Sequence, residues 1–562
     1  MSCLYSIPAA HYTEAGTSPE RSSTRMKLSL GNATLAVTLA VLSPGAFAQT
    51  ATLSDRSVDA DIIACTSLST LELPELVALE AIWFDAEPEN LLLRPDIDPP
   101  EPQPAHCRVR GRIEAAITFE IRLPDAASWN GRYLALGNES SVGMIATERL
   151  ETALQAGYAA AATDGGHTGS SPAWLTDDAR LRDFSYRAVY ETSVKAQAII
   201  ASFYQQPADY RYFEGCAVGG QQGLMQAQHF PEVFDGIVAG APLTDFAAAQ
   251  ATSLWASVTA QAPTGQPLLG PQQLQLLNSA AIAQCDTLDG VADGVLEDPR
   301  RCNFDPGRLQ CGVGAVGSCL SSAQVAAARS IYAGPATGRR TGSTPPPLQA
   351  QFPPAARTAN NAQQFDIAIP VFDLPGFLPG SELGWQFALN QAPDALALEF
   401  FRFAVHSNAA WSWREFELGG DLALAQETSG WIFDVSSGDL SRFAANGGKL
   451  IAYHGWSDTV SPPEATLAWF ERAARGTAAE AARLFMVPGM QQCGGGSGAD
   501  EFDMLRALED WVERGIAPDR IEATRTVDET QIRTRPLCPH PQTARYRGTG
   551  SPDQTGNFIC AI

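Results

Sequence analysis

A turn framed by glycines is the stretch of this chain with the clearest capacity for chemistry. The turn is Gly215-Cys216-Ala217-Val218-Gly219, between a strand-like aromatic run and a helix-like apolar run. A sharp strand-to-helix turn of this kind lifts its central side chain above an α/β sheet, where a serine can attack a carbonyl carbon. Glycines flank the centre because side chains there would collide across the turn. The centre here is Ala217, whose methyl group cannot act as a nucleophile.

The acid and the base that assist such a nucleophile normally follow it in the chain, acid first. Asp458 comes just after a buried strand, which suits the acid. The loop from Pro488 to Gly496, after the last strand, should carry the base but contains no histidine. His167 and His454 lie on loops near the top of the predicted sheet, and we expect structural hydrogen bonding from them.

A second group of residues suits a metal ion. Asp286, Asp289 and Asp293 alternate with backbone carbonyls on a loop punctuated by glycines. Hard oxygen ligands at this density are typical of Ca²⁺, although the spacing is not that of an EF-hand. The alternative is a cluster of Asp/Gly turns without a metal.

The elements that must position these residues follow from the hydrophobic pattern. Short apolar strands alternate with helical segments up to residue 242, which predicts a parallel sheet with helices on both faces. Residues 243–440 are rich in Pro, Gly and Ala and indicate an inserted domain. The α/β pattern returns in residues 441–562, with a strand from Arg483 to Pro488 and an amphipathic helix from Asp500 to Gly515.

The start of the chain indicates export. An apolar run from Leu35 to Leu42 follows Met26-Lys27 and precedes Ala46-Phe47-Ala48, the pattern of a signal peptide cleaved after Ala48. Residues 1–48 are therefore predicted to be leader and signal, residues 49–242 the first part of the core, and Met26 rather than Met1 the natural start. No later segment is long enough to span a membrane, so we expect a soluble secreted or periplasmic protein without a membrane partner.

Charge and cysteine content agree with that expectation. The chain has 562 residues and a formal charge of −24, which argues against a nucleic-acid partner. Of eleven cysteines, only Cys3 precedes the predicted cleavage site. The even number that remains implies disulfides in an exported chain, although spacing alone does not fix their pairing.

Several motifs make the chain resemble the tannase/feruloyl esterase family across nearly all of residues 60–562. They are Gly157-Tyr158-Ala159, Thr163-Asp164-Gly165-Gly166-His167, Tyr186-Arg187-Ala188-Val189, Glu214-Gly215-Cys216, Phe234-Asp235-Gly236-Ile237, His454-Gly455-Trp456-Ser457-Asp458, Pro488-Gly489-Met490 and Arg535-Pro536-Leu537-Cys538-Pro539. The resemblance implies an α/β-hydrolase core with an inserted lid domain, and carboxylic ester hydrolysis by a serine. It also implies a structural calcium held by the carboxylates of Asp286, Asp289 and Asp293 and the carbonyls of Val291 and Val295.

The resemblance further implies how the cysteines pair. A disulfide between Cys216 and Cys493 would tie the nucleophile position to the base position. The other implied pairs are Cys65–Cys107, Cys285–Cys302, Cys311–Cys319 and Cys538–Cys560.

Three positions depart from the family pattern. Ala217 replaces the nucleophilic serine and Gln492 replaces the basic histidine, while the acid Asp458 is retained. In residues 137–141 the family has a glycine-rich run that supplies an oxyanion-hole amide. Here Glu139 would place a carboxylate where negative charge must develop, which is the wrong sign.

Two functional hypotheses follow. The first is a catalytically silent homologue that keeps the fold, the calcium and the capacity to bind a small aromatic ester or acid. The second is an active esterase on aromatic esters that uses Ser140, Ser141 or Ser457, none of which lies on the glycine-framed turn. Lid aromatics could face the ligand pocket, although such residues more often form the core of their own domain. They are Trp385, Phe387, Phe403 and Trp411.

Overall fold

The structure is a computed structural model that describes residues 57–86, 103–114, 116–138, 141–312, 318–335, 374–389 and 393–562. The predicted signal peptide, Glu139 and Ser140 lie outside these residues, as does the side chain of Phe387.

A nine-stranded sheet forms the centre of the described fold. Its strands are β1 (Leu76–Phe84), β2 (His106–Ile113), β3 (Ile117–Pro124), β4 (Arg132–Leu136), β5 (Ala159–Thr163), β6 (Tyr210–Cys216), β7 (Gly236–Gly240), β8 (Lys449–Gly455) and β9 (Ala482–Val487). They lie in the order β1-β2-β3-β5-β4-β6-β7-β8-β9. Neighbours from β1 to β5 are antiparallel, and neighbours from β5 to β9 are parallel. The predicted parallel sheet is therefore confirmed, with an antiparallel edge added.

Strand register brings the carboxyl ends of the central strands level. Gly240 at the end of β7 pairs with Cys216 of β6 on one side and with Tyr453 of β8 on the other. Gly455 at the end of β8 pairs with Val487 of β9. Since these strands are parallel, the loops that leave them meet at one edge of the sheet, where α/β proteins place their sites.

Fourteen α-helices surround the sheet or lie in the segment between β7 and β8 in the described residues. They are α1 (Val58–Leu68), α2 (Thr147–Gln155), α3 (Asp178–Arg182), α4 (Ala188–Tyr204), α5 (Val218–His229), α6 (Phe246–Thr259), α7 (Pro271–Cys285), α8 (Ser322–Ala333), α9 (Trp385–Ala388), α10 (Ala395–Glu399), α11 (Leu418–Thr428), α12 (Ser441–Ala445), α13 (Pro463–Ala473) and α14 (Met504–Arg514). Two hairpins complete the chain: β10 (Ile521–Val527) with β11 (Thr530–Leu537), and β12 (Thr543–Tyr546) with β13 (Phe558–Ala561).

Both faces of the sheet are covered. Buried side chains of α1, α4, α5, α12 and α13 pack on one face, and those of α2 and α14 pack on the other. The predicted helix over Asp500–Gly515 is shorter at its start, because Asp503 caps α14 by accepting a hydrogen bond from the Arg506 amide at 2.7 Å. It ends where Gly515 turns left-handed at φ 72°.

The segment between β7 and β8 contributes no strand to the sheet among the described residues. Its buried side chains form one cluster of their own and share a second cluster with core residues such as Phe184 and Val218. Trp385 is fully buried in one cluster and Trp411 is buried in the other. These two tryptophans therefore form core, while Phe403 is only partly buried against its cluster. The boundaries at residues 242 and 440 remain predictions.

All five implied disulfides are present. Cα–Cα separations run from 5.0 Å for Cys311–Cys319 to 6.3 Å for Cys216–Cys493, within the range that a disulfide allows. Among the described residues, no helix combines the length and apolar character needed to cross a membrane.

Candidate active site

Ala217 occupies the sharp turn between β6 and α5. Its backbone has φ 54° and ψ −111°, a conformation that L-residues rarely adopt and that is found mostly at functional turns. The Ala217 amide donates to the Gly240 carbonyl at 2.9 Å, and its carbonyl accepts from the Gln221 amide at 3.0 Å. The sharp strand-to-helix turn expected from the sequence is therefore present, with a methyl group at its centre.

Close packing explains the glycines around this turn. A Cβ on Gly215 would lie 2.5 Å from the carbonyl carbon of Gly219, and a Cβ on Gly219 would lie 2.9 Å from the Asn138 carbonyl oxygen. A Cβ on Gly137 would approach the Gly219 Cα to 2.7 Å. The prediction that side chains at Gly215 and Gly219 would collide across the turn is confirmed.

The loop after β4, where an oxyanion-hole amide is expected, is tied to α5 by a buried pair. The backbone amide of Asn138 donates to Gln222 Oε1 at 3.0 Å, and Gln222 Nε2 donates to Asn138 Oδ1 at 3.0 Å. The Asn138 amide is thus occupied within the protein. Amides in the first turn of α5 lack intrahelical partners and remain suited to a negatively charged group above Ala217.

Asp458, the predicted acid, is buried and already hydrogen-bonded. Its Oδ1 accepts from the amides of Val460 at 2.7 Å and Ser461 at 3.2 Å. Its Oδ2 lies 2.9 Å from Nε2 of His454, which also lies 3.1 Å from the Ser461 carbonyl oxygen. Because both neighbours of Nε2 accept hydrogen bonds, the proton belongs on Nε2 and is donated to them.

His454 does not replace the missing base. The residue is fully buried, and its Nδ1 lies 2.8 Å from Thr466 Oγ1 on α13. Its structural role was predicted, but its partnership with Asp458 was not. The signal available in the sequence was the four-residue spacing of the two side chains across the end of β8. His167 is structural as well, since its Nε2 lies 2.8 Å from the Ser141 carbonyl oxygen and its ring stacks on Trp174.

Gln492 lies on the loop after β9, which packs against the loop that carries Asp458. The Ser457 amide donates to the Met490 carbonyl at 2.8 Å, and a Cβ on Gly455 would lie 1.7 Å from the Gln491 carbonyl oxygen. The Cys216–Cys493 disulfide fixes the same loop beside the turn at Ala217. The structure thus brings together the turn at Ala217 and the loops that carry Asp458 and Gln492, the three predicted positions. No hydrogen bond joins the Gln492 and Asp458 side chains within the described part of the chain.

The serines considered as substitute nucleophiles have other surroundings. Ser457 Oγ donates to the Gly380 carbonyl at 3.4 Å, and nearby Thr459 Oγ1 donates to the Gly384 carbonyl at 3.2 Å. These two hydrogen bonds join the loop that carries Asp458 to the segment between β7 and β8. Ser141 holds His167 through its carbonyl, and Ser140 lies outside the described residues. Within the part of the chain that the structure describes, no histidine is hydrogen-bonded to the hydroxyl of Ser141 or Ser457.

The predicted calcium loop is held by its own turns. Asp286 Oδ1 accepts from the amides of Asp293 at 3.2 Å and Gly294 at 2.9 Å, and Asp289 Oδ1 accepts from the Val291 amide at 2.9 Å. Cys285–Cys302 closes the loop. Four of the five predicted ligands line one cavity: Asp289, Val291, Asp293 and Val295.

The groups that line this cavity include several carboxylates, which are donors of the type that suits a cation. Burial raises the pKa of Asp289, and the carboxylates of Asp293 and Asp286 raise it further. Burial likewise raises the pKa of Glu297 in the cavity wall to about 8. Arg535 forms an ion pair with Asp293, however, and no metal-binding group of three or more His, Cys, Asp or Glu side chains occurs in the described residues. The donors fit Ca²⁺ chemically, and calcium binding remains a prediction.

Chelation tests that prediction. We expect a chelator to lower the melting temperature of the purified protein, because the clustered carboxylates would lose their counter-ion. Asp289→Ala should abolish the chelator effect, whereas Asp305→Ala, which removes an exposed carboxylate paired with Arg329, should preserve it. An unchanged melt with chelator, together with no metal in elemental analysis, would refute the calcium site.

Comparisons with known proteins agree with this architecture. A family model described as tannase and feruloyl esterase matches residues 104–374 and 412–561. The mono(2-hydroxyethyl) terephthalate hydrolase of Piscinibacter sakaiensis is 33% identical over an aligned length of 564 residues. The match covers 86% of this chain and 88% of that protein. An uncharacterised esterase of Xanthomonas campestris pv. campestris is 32% identical over 551 residues, covering 88% and 91% of the two chains.

Solved structures give the same result. The crystal structure of feruloyl esterase B from Aspergillus oryzae superposes with a TM-score of 0.75 at 26% identity, covering 89% of this chain and all of that one. Tannin acyl hydrolase from Aspergillus niger shares the fold, with a TM-score of 0.67 at 20% identity, covering 90% of this chain and 94% of that one. These likenesses and the sheet order confirm the predicted α/β-hydrolase fold.

Proposed function

The chain belongs to the tannase and feruloyl esterase family of carboxylic ester hydrolases, and from that premise we propose that it is an exported member that has lost serine-type ester hydrolysis. The signal-like start and the five disulfides support export.

The observation that carries this proposal is the methyl group of Ala217 at the centre of an intact nucleophile elbow, the glycine-framed turn of residues 215–219. The strained backbone, the flanking glycines and the adjacent disulfide support Ala217 as the position at which a nucleophile would be presented. An alanine there cannot form the acyl-enzyme intermediate on which this class of hydrolysis depends.

The proton-transfer machinery is missing as well. Gln492 carries an amide that neither titrates nor shuttles protons near neutral pH. Asp458 retains its position but holds the buried His454 instead of a catalytic base. In subtilisin, loss of the serine or the histidine alone costs about 10⁶ in turnover, and what survives is about 10³–10⁴ over water from binding and the oxyanion hole.

The ligand that we propose is a small aromatic ester or the acid derived from it. Two relatives in the same family are named for aromatic esters: one is a mono(2-hydroxyethyl) terephthalate hydrolase and the other a probable feruloyl esterase. A charge of −24 makes a nucleic-acid ligand unfavourable. In this proposal the protein binds such a molecule without cleaving it.

An esterase assay tests the loss of activity. Purified protein is incubated with methyl gallate, methyl ferulate and a nitrophenyl ester, and we expect hydrolysis within a few-fold of the uncatalysed background. Robust turnover that disappears in Ser140→Ala, Ser141→Ala or Ser457→Ala would overturn the proposal in favour of an active esterase with another nucleophile.

A further inference from the structure

The two C-terminal hairpins border the cavity at the loop that is predicted to bind calcium. Arg533 and Arg535 of β11 line this cavity, together with Phe558 of β13 and predicted ligands such as Asp293. Its volume is about 20 Å³, which suits one ion or one water molecule and is too small for an organic ligand. The contact joins parts of the chain that are 240 positions apart.

The three aspartates of this loop use their carboxylates differently. Oδ1 of each accepts from a backbone amide of the same loop, as Asp293 Oδ1 does from the Val295 amide at 3.1 Å. The second oxygens of Asp286 and Asp289 accept no hydrogen bond within the described part of the chain. The second oxygen of Asp293 forms an ion pair with Arg535. Asp293 is therefore the predicted ligand whose carboxylate the C-terminal hairpins hold.

Arg535 is itself held in place from within the hairpin region. Its Nη1 donates to the Pro552 carbonyl, and also to the Thr534 carbonyl at 3.2 Å. Its guanidinium carbon lies 4.5 Å from the centre of the Phe558 ring. These contacts fix the guanidinium independently of Asp293, so the guanidinium can set the direction of that carboxylate.

Two further hydrogen bonds tie the hairpins to the same loop. Arg533 Nη2 donates to the Asp293 carbonyl at 2.9 Å, and the Ala544 amide of β12 donates to Glu297 Oε1 at 2.7 Å. The Cys538–Cys560 disulfide joins the residue after β11 to β13. One cross-linked unit therefore holds the loop at a side chain, at a carbonyl and at the end of the predicted ligand series.

We propose that the C-terminal hairpins complete the predicted calcium site, with Arg535 as the positioning residue for the Asp293 carboxylate. Hydrogen bonds from surrounding residues orient ligating carboxylates, and their loss typically costs about 10- to 100-fold in metal affinity. A carboxylate has about four acceptor positions, so Asp293 can accept from Arg535 and still coordinate an ion. The loop has three aspartates, and only Arg533 and Arg535 pair with Asp293, so the arginines leave a negative charge for the ion to balance.

The inference rests on the predicted calcium site and is independent of the loss of ester hydrolysis. Calorimetric titration of the chelator-treated full chain with calcium chloride tests it. We expect saturable binding by the unmodified protein, and binding weaker by about tenfold or more in Arg535→Gln. Arg535→Lys should recover part of the affinity, because lysine keeps the charge without the planar fork of donors.

The matched control is Arg520→Gln. This change removes an exposed arginine beside β10 that donates to the Thr555 carbonyl at 2.8 Å, and it should leave the calcium affinity unchanged. A second variant, Arg533→Gln, keeps the proposal testable if Arg535→Gln does not fold. It removes the donor to the Asp293 carbonyl and should weaken calcium binding by about threefold or more.

Melting temperatures provide a second readout. Added calcium should raise the melting temperature of Arg535→Gln and Arg533→Gln less than that of the unmodified protein. Equal calcium affinities in the unmodified protein and both variants would overturn the inference and leave the calcium site standing. Tighter binding by Arg535→Gln would do the same, since Arg535 would then compete with the ion. Absence of calcium binding by the unmodified protein would overturn the calcium site and the inference together.

Discussion

A variant carrying both Ala217→Ser and Gln492→His is expected to hydrolyse aromatic esters well above the unmodified protein. The elbow backbone that would present the serine is already formed at φ 54°, and the Cys216–Cys493 disulfide already fixes the loop that would carry the histidine. Asp458 stands on the adjoining loop to orient that imidazole. The measurement is initial-rate hydrolysis of methyl ferulate and a nitrophenyl ester by all four combinations of the two positions.

Neither single change should restore activity. A serine without a base remains a weak nucleophile, and a histidine without a nucleophile has nothing to activate. The restored rate should stay limited, because Asp458 Oδ2 must accept from the new histidine while it still accepts from His454. Adding Glu139→Gly should raise the rate again by removing a carboxylate from the oxyanion-hole run. A double variant as inactive as the single variants, with its fold intact, would show that the acid and the elbow are no longer aligned for catalysis.

Removal of the Cys216–Cys493 disulfide should be the most destabilising change among the five pairs. The bridge joins residues 277 positions apart, and closing a long loop removes much conformational entropy from the unfolded chain. We expect Cys216→Ala with Cys493→Ala to lower the free energy of unfolding by about 2–5 kcal/mol, measured by denaturant titration.

The matched control is Cys311→Ala with Cys319→Ala, whose bridge spans only 8 positions and should therefore contribute less. Equal losses in the two variants would contradict an origin in loop length. Peptide mapping that finds a free thiol at Cys216 or Cys493 would refute the pairing itself.

The amino-acid sequence determined the features that depend on local pattern and on residue type. Alternating apolar strands and helices predicted the parallel sheet, because burial on both faces imposes that pattern on each segment separately. The glycines around Ala217 predicted the elbow, since few other residues fit so tight a crossing. Ala217 and Gln492 are the basis of the prediction that serine-type hydrolysis is lost, because a methyl group cannot act as a nucleophile and an amide cannot act as a base in any fold. The disulfide pairing came from family resemblance, since spacing alone left it open.

Only the tertiary structure decided which polar groups meet. Asp458 could have remained free for a base, but the end of β8 places His454 against it. Arg535 lies far in sequence from the loop predicted to bind calcium, yet forms an ion pair with Asp293. Such contacts depend on register, helix orientation and side-chain direction over long separations, which residue type and spacing do not specify.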